Sequence, residues 1–301
     1  CLVSRPPIQL LSTRIITITS MMLAMVTRNT GMTEWLDDFL VRSVIAGLIM
    51  VAIAAPMGCL MVWPRLACLS DTLGHAAVMG DGLGLLLEET PILGVLAVAL
   101  LIVYSLHRVN SLNSALSEST LAILSHTGLA GGIILVGLLP AQSVNLEAIL
   151  FGDLLATTRA DLVRLLITTL VLLLLLLYHW RSFVAVSVSR EIAQAEGIEV
   201  RKVQLLMYIM IALLVAVMMK VMGVLLIAAM LVIPTTSARL FSRSPEQSVA
   251  VSALYGLGAL AGGIGSSFQF DWQTGPAIVV SATLLLLITL AVNRIFKFRP
   301  D

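Results

Sequence analysis

An aspartate and a histidine lie four residues apart in Ser70-Asp71-Thr72-Leu73-Gly74-His75-Ala76, inside a segment that is otherwise largely apolar. On an α-helix, positions i and i+4 share one face, so Asp71 and His75 could bind one small cation together. An ionisable residue at membrane depth is costly and usually marks a substrate, ion or proton path. The alternative is a buried structural pair that locks helices together. We therefore treat the pair as a candidate transport site.

The donor types suit a divalent metal ion. Imidazole and carboxylate together match zinc, whereas a site richer in oxygen ligands would favour manganese. Two side chains do not complete a tetrahedral shell, so a second helix or a partner must supply the rest. His126, in the middle of a later apolar run, is our candidate, although an interhelical hydrogen bond would also explain it. Met79 continues the same face one turn on, but a methionine in a membrane span is usually a packing residue.

The elements that carry these residues are predicted to be membrane helices. The 301 residues are 59% hydrophobic and 12% charged, against about 25% charged in ordinary globular domains. Apolar runs without strand-like alternation predict an all-α polytopic membrane protein with about eight or nine transmembrane helices. The apolar run 203–238 is too long for one crossing of a ~30 Å core, so we predict a turn between Lys220 and Gly223. The other predicted spans are 44–62, 69–87, 92–106, 119–139, 162–178, 248–269 and 274–292.

The ends of the chain and the loops complete this organisation. We expect residues 1–33 to be an N-terminal extension without a role in transport, and residues 34–301 to form the transmembrane domain. Basic residues concentrate in the loops after the odd-numbered spans, which the positive-inside rule places in the cytoplasm. The net charge of +1 and the scattered basic residues give no reason to expect a nucleic-acid partner.

A hydrophilic segment, residues 189–202, separates two spans. Ser189 is placed as an N-cap, Glu191 lies in the first turn and Gly197 is a C-terminal stop, which predicts a short surface helix. On the opposite side of the membrane, the loop 142–161 carries Glu147 and Asp153. Carboxylates in such a loop are usually just solvated, and docking of an extracellular partner is the alternative.

No sequence motif supplies an energy source. A phosphate-binding loop needs Gly-Lys followed by Ser or Thr, but Lys202, Lys220 and Lys297 do not follow glycine. There is no Gly-x-Ser-x-Gly elbow and no His-Glu-x-x-His motif either. We therefore predict no catalytic residues in this chain, and ATP hydrolysis, if it drives transport, would belong to a separate subunit.

Several motifs occur together in a recognisable order. They are Ser-Asp-Thr-Leu-Gly-His-Ala at 70–76, Phe-Gly-Asp-Leu-Leu-Ala at 151–156, Glu-Gly-Ile at 196–198 and Ile-Pro-Thr-Thr-Ser-Ala-Arg at 233–239. On these residues the chain, from about Trp35 to Arg299, resembles the metal-type permease subunits of bacterial ATP-binding-cassette importers. It resembles most closely the permease of the high-affinity zinc uptake system.

The resemblance implies a homodimeric permease in the inner membrane that works with cytoplasmic ATPase subunits and a periplasmic metal-binding protein. Zinc(II) would be the transported substrate, and no permanently bound cofactor is expected. Asp71, His75 and His126 would lie on the metal pathway. Residues of the 189–202 segment would couple to the ATPase, and these are Glu191, Ala193, Glu196 and Gly197. Glu147 and Asp153 would face the binding protein.

Two features depart from the family pattern, and other functions stay open. The extension before Met32 is one departure, and Asp81, where an apolar residue is usual, is the other. A manganese or iron permease of the same family is the first alternative. A cobalamin or siderophore permease would need a wide aromatic-lined path, which 5% aromatic residues do not favour. A proton-coupled secondary metal carrier would work without an ATPase partner.

Overall fold

The computed structural model describes residues 39–64, 66–87, 90–110, 116–138, 146–152 and 154–296. The predicted extension, residues 1–33, lies outside these ranges. Within them all regular secondary structure is α-helical, as predicted. The helices are α1 (Phe39–Val62), α2 (Ala67–Leu86), α3 (Pro91–Asn110), α4 (Leu116–Leu138), α5 (Leu146–Phe151), α6 (Arg159–Val188), α7 (Arg190–Ala195), α8 (Val200–Arg239), α9 (Pro245–Phe270) and α10 (Thr274–Phe296).

The long helices form a membrane-spanning bundle. Among the described residues, seven helices are long and apolar enough to cross a membrane: α1, α3, α4, α6, α8, α9 and α10. Helix α2 has 20 residues, and its ionisable residues Asp71, His75 and Asp81 lower its hydropathy. Because α8 folds as two helices, the bundle agrees with the predicted eight or nine spans.

The break in α8 falls at Gly223, where φ is 74° and ψ is 161°, within the predicted turn. Gly152, at the end of α5, also has a positive φ of 67°. The two glycines meet, and a Cβ on Gly152 would collide with the backbone of Met222. A left-handed conformation and a backbone contact at the same place require glycine at both positions. The end of α5 thus packs into the break of α8.

Helix α6 is longer than the predicted span 162–178. It runs for 30 residues from Arg159 to Val188, a length of about 45 Å. Its additional C-terminal turns still bury apolar side chains, since Trp180 is 6% and Phe183 1% exposed. The predicted span ends at residue 178, but packing of these aromatic side chains keeps the chain helical beyond it. Helix α6 therefore leads directly to the short surface helix α7.

Helices α1 and α8 occupy the centre of the bundle, and most of their residues are buried. Helix α2 packs against α3, α4 and α8, with its most extensive contact on α4. The candidate residues Asp71 and His75 are therefore carried by a helix that is held on several sides. Only a narrow strip of α2 stays accessible.

Candidate functional site

Asp71 and His75 lie on the accessible strip of α2, one helical turn apart as the spacing predicts. His75 Nε2 is 3.7 Å from Asp71 Oδ1, and the side chains are 26% and 57% exposed, respectively. Two ligands of a tetrahedral zinc ion, each at about 2.0–2.1 Å, are separated by roughly 3.3 Å. The gap between the two atoms is therefore close to the span that one shared ion would need.

The other ring nitrogen of His75 is held by helix α4. His75 Nδ1 is 2.7 Å from Ser125 Oγ, and Ser125 is only 4% exposed. Metal-binding histidines typically donate their second ring N–H to an oxygen acceptor, which fixes the tautomer and the orientation of the ring. With Nδ1–H donated to Ser125, Nε2 keeps its lone pair on the side of Asp71. No sequence signal marked Ser125, which lies 50 positions from His75.

Glycines let α4 approach α2 closely enough for this hydrogen bond. A Cβ on Gly128 would lie 2.9 Å from Ala76 Cα, and one on Gly132 would lie 2.7 Å from the Met79 backbone nitrogen. The Thr72 hydroxyl also donates across the same interface to the Leu121 carbonyl at 3.1 Å. Close packing through small residues is the usual way in which membrane helices associate. Helices α2 and α4 consequently form one rigid support for the imidazole.

His126 follows Ser125 on α4 but faces outward from the protomer, where it is exposed. Across the described ranges, no three histidine, cysteine, aspartate or glutamate side chains are placed to bind one metal ion together. Within one chain, the structure thus brings Asp71 and His75 together and leaves His126 apart from them. A histidine on the exposed face of an apolar helix needs an aqueous or protein neighbour in a membrane.

The predicted surface helix is α7. The Ser189 hydroxyl accepts a hydrogen bond from the Ile192 backbone N–H, and Gly197 has a φ of 80°, so the predicted cap and stop residues are both observed. Glu191 is exposed, and hydrogen bonds from its own backbone N–H and from the Ser189 hydroxyl lower its pKa. The residue Glu196 is also exposed.

Ala193 is placed differently from the other coupling candidates. It is fully buried against Val186 and Val200, so its methyl group packs the base of α7 and does not reach the surface. The large apolar residue that α7 exposes is Ile192, which is 60% exposed. Ile192 could not be predicted as a contact residue from the sequence, because an isoleucine beside polar residues carries no distinctive signal.

The remaining candidates lie near the opposite end of the bundle. Glu147 is exposed in the first turn of α5, and Asp153 lies outside the described residues. Asp81 and Lys220 line a cavity of about 210 Å³ together with apolar residues of α3, α5 and α8. Lys220 Nζ is 3.4 Å from Asp161 Oδ1, a contact that links α8 to the start of α6. No sequence signal identified Asp161 as that partner.

Comparison with known proteins places the chain in a family. The sequence model described as the ABC 3 transport family matches residues 36–293. The high-affinity zinc uptake system membrane protein ZnuB of Haemophilus influenzae is 33% identical over 253 residues, covering 84% of this chain and 97% of that protein. The manganese import system permease protein ScaB of Streptococcus gordonii is 26% identical, covering 83% of this chain and 90% of that protein.

A solved structure shares the fold. The structure of PsaBC from Streptococcus pneumoniae in complex with Fab matches with a TM-score of 0.74 at 27% sequence identity. The match covers 83% of this chain and 90% of the matched chain. The helical bundle therefore has the same architecture as a chain of that complex.

Proposed function

Because the chain belongs to the ABC 3 transport family, we propose that it is the permease subunit of an ATP-binding-cassette importer that moves zinc(II) from the periplasm to the cytoplasm. It is a multi-pass protein of the bacterial inner membrane. The observation that carries the choice of zinc is the Asp71–His75 pair, a nitrogen and an oxygen donor 3.7 Å apart and accessible. Imidazole donors favour zinc over manganese, for which all-oxygen sites are more suitable.

The permease works as a homodimer in this proposal. Helix α4 exposes most of its surface, and that surface includes His126. Burying it against a second copy or around an aqueous path between two copies would remove a histidine from lipid. The two Asp71–His75 pairs and the two His126 side chains would then lie along a shared path.

Helix α7 docks on the ATPase subunit. Glu191, Ile192, Glu196 and Gly197 are all exposed there, and Ala193 holds α7 against the start of α8. Because α7 connects α6 directly to α8, a displacement of α7 reaches the helix that packs on α2. Closure of the ATP-bound ATPases would thereby switch the path between outward and inward openings.

A periplasmic metal-binding protein delivers the ion at the opposite end, where Glu147 and Asp153 are its proposed contacts. The ion then passes Asp71 and His75 by ligand exchange. Two ligands hold it weakly enough for release, since conduction requires binding that is favourable but not tight. A full tetrahedral protein cage would retain zinc for too long.

Uptake of radioactive zinc tests the proposal in cells that lack their own zinc importer but express this permease with its ATPase and binding protein. The unaltered permease should restore zinc uptake, and His75→Ala should abolish it while the complex still assembles. His107→Ala, at the end of α3, is the matched control and should transport normally. Zinc uptake that survives His75→Ala, or rescue by manganese alone, would refute the assignment.

A further inference from the structure

The accessible strip of α2 has an unusual composition. From Cys68 to Gly80, a stretch that the structure describes completely, every residue is buried except Cys68, Asp71, His75 and Met79. Each of these side chains carries an atom that can bind a metal ion: a thiol, a carboxylate, an imidazole and a thioether. Elsewhere in the stretch, Leu69, Leu73, Ala76 and Val78 are completely buried.

The four side chains form a line along the helix. At 100° per residue they fall within a sector of roughly 80°, and they span about 16 Å along the axis. Successive members are separated by a rise of about 4.5 to 6 Å. Flexible side chains at these separations can hold one ion between neighbouring members, and the 3.7 Å between His75 Nε2 and Asp71 Oδ1 is close to the distance that such sharing requires.

The other polar groups of this stretch are already satisfied and do not compete. The Ser70 hydroxyl donates to the Ala67 carbonyl at 2.9 Å. The Thr72 hydroxyl shares its one proton between the Cys68 carbonyl at 2.8 Å and the Leu121 carbonyl of α4. At the other end of the strip, Gly131 of α4 lies opposite the thioether, and a Cβ there would come within 3.1 Å of Met79 Sδ. The glycine leaves room around the sulfur atom.

We propose that Cys68 and Met79 extend the Asp71–His75 pair into a four-step ligand ladder, and that Cys68 is its inner, zinc-selecting step. This inference rests on the proposed function. Helix α2 follows the cytoplasmic end of α1 in the orientation that the basic residues predict, so Cys68 lies on the cytoplasmic side of Asp71. An incoming ion would pass from Met79 to His75, then to Asp71 and Cys68.

The sulfur donors give the ladder its selectivity. Thiolate and thioether ligands favour zinc and softer ions, whereas manganese prefers oxygen ligands. Cys68 binds as a thiolate, and its proton passes to water at the exposed end of α2 as the metal–sulfur bond forms. When the ion leaves, the thiolate regains a proton from water. Adjacent pairs supply only two ligands at a time, which allows the ion to move on.

Cadmium(II) is the probe, because its bond to a thiolate produces an ultraviolet charge-transfer band. The purified permease–ATPase complex carrying Cys1→Ser should show this band, since Cys59 is buried and Cys68 is exposed. Adding Cys68→Ser should remove the band, and excess zinc should suppress it in the parent. A band of unchanged intensity after Cys68→Ser would overturn the assignment of Cys68.

Ion selectivity gives a second readout. In proteoliposomes, Cys68→Ser should lower the ratio of zinc to manganese uptake several-fold, and Cys68→Asp should keep uptake but shift it toward manganese. Met79→Leu, which conserves volume, should slow zinc uptake with unchanged ATPase assembly. If His75→Ala stops uptake while Cys68→Ser and Met79→Leu transport zinc as before, the ladder is refuted and the proposed function stands. If His75→Ala also transports normally, the proposed function fails with it.

Discussion

Replacing Ser125 with alanine isolates the contribution of helix α4 to the proposed binding of zinc at Asp71 and His75. The Ser125 hydroxyl is the only group removed, and it lies 2.7 Å from His75 Nδ1 in a position where Ser125 is 4% exposed. The alanine leaves His75 with the same neighbours but without a partner that fixes its ring. Asp71 and the rest of the strip are unchanged, so the variant tests orientation alone.

The expected size of the effect follows from this single hydrogen bond. A neutral hydrogen bond contributes about 1 kcal/mol net, and 1.4 kcal/mol corresponds to about tenfold in affinity. The loss therefore predicts about a fivefold weaker interaction with zinc. Loss of the partner that orients a metal-binding histidine costs about 10–100-fold in other sites, and His75, which is 26% exposed, can recover part of this through water. We expect KM for zinc to rise about five- to tenfold with the maximal rate nearly unchanged.

The assay is zinc uptake into proteoliposomes that contain the complete importer, measured over a range of zinc concentrations. Ser125→Thr retains a hydroxyl and should restore most of the affinity. Ser105→Ala is the matched control, since Ser105 on α3 donates to the Leu101 carbonyl of its own helix. A KM for Ser125→Ala equal to that of Ser105→Ala would refute the idea that α4 orients the metal-binding ring.

Three further variants probe the elements around the site. Gly197→Val should raise the number of ATP molecules consumed per zinc ion transported. The left-handed φ of 80° at Gly197 costs a β-branched residue about 1–2 kcal/mol, although no atom lies where the new Cβ would be placed. An unchanged ratio of ATP to zinc would count against a coupling role. Ile192→Asp should weaken co-purification of the ATPase without lowering the amount of permease in the membrane, since Ile192 is 60% exposed on α7. Gly152→Ala should destabilise the permease by about 3 kcal/mol, because the new Cβ would strain the backbone and collide with Met222. A thermal unfolding midpoint equal to that of the unaltered protein would disprove the contact between Gly152 and Met222.

The parts of the site that could be predicted from sequence are those with a local cause. Asp71 and His75 share a face because helical spacing alone dictates it. The break at Gly223 follows from the length of the apolar run around it, and the cap at Ser189 follows from the polar residues after it. In each case the residues that determine the feature lie within a few positions of one another.

The parts that could not be predicted depend on which helices are neighbours. Ser125 holds His75 only because α4 packs against α2, and no periodicity reports that pairing. Lys220 is paired with Asp161, which lies 59 positions away, because the start of α6 lies beside the break of α8. The family resemblance predicts that Ala193 couples to the ATPase, but its side chain is buried against Val186 and Val200 and packs beneath α7.

The exposure and separation of Asp71 and His75 distinguish a metal site from a structural lock between helices. A lock should bury the carboxylate and join it to the imidazole by a short hydrogen bond. Here Asp71 is 57% exposed and lies 3.7 Å from Nε2, beyond hydrogen-bond length. The short contact of the imidazole goes to Ser125 instead. An exposed pair with this separation contributes little to stability, whereas the same separation is close to what two ligands of one tetrahedral zinc ion require. Since exposing a carboxylate to lipid would be costly, the strip that carries it must face water or a second protein surface, which is where a transported ion would pass.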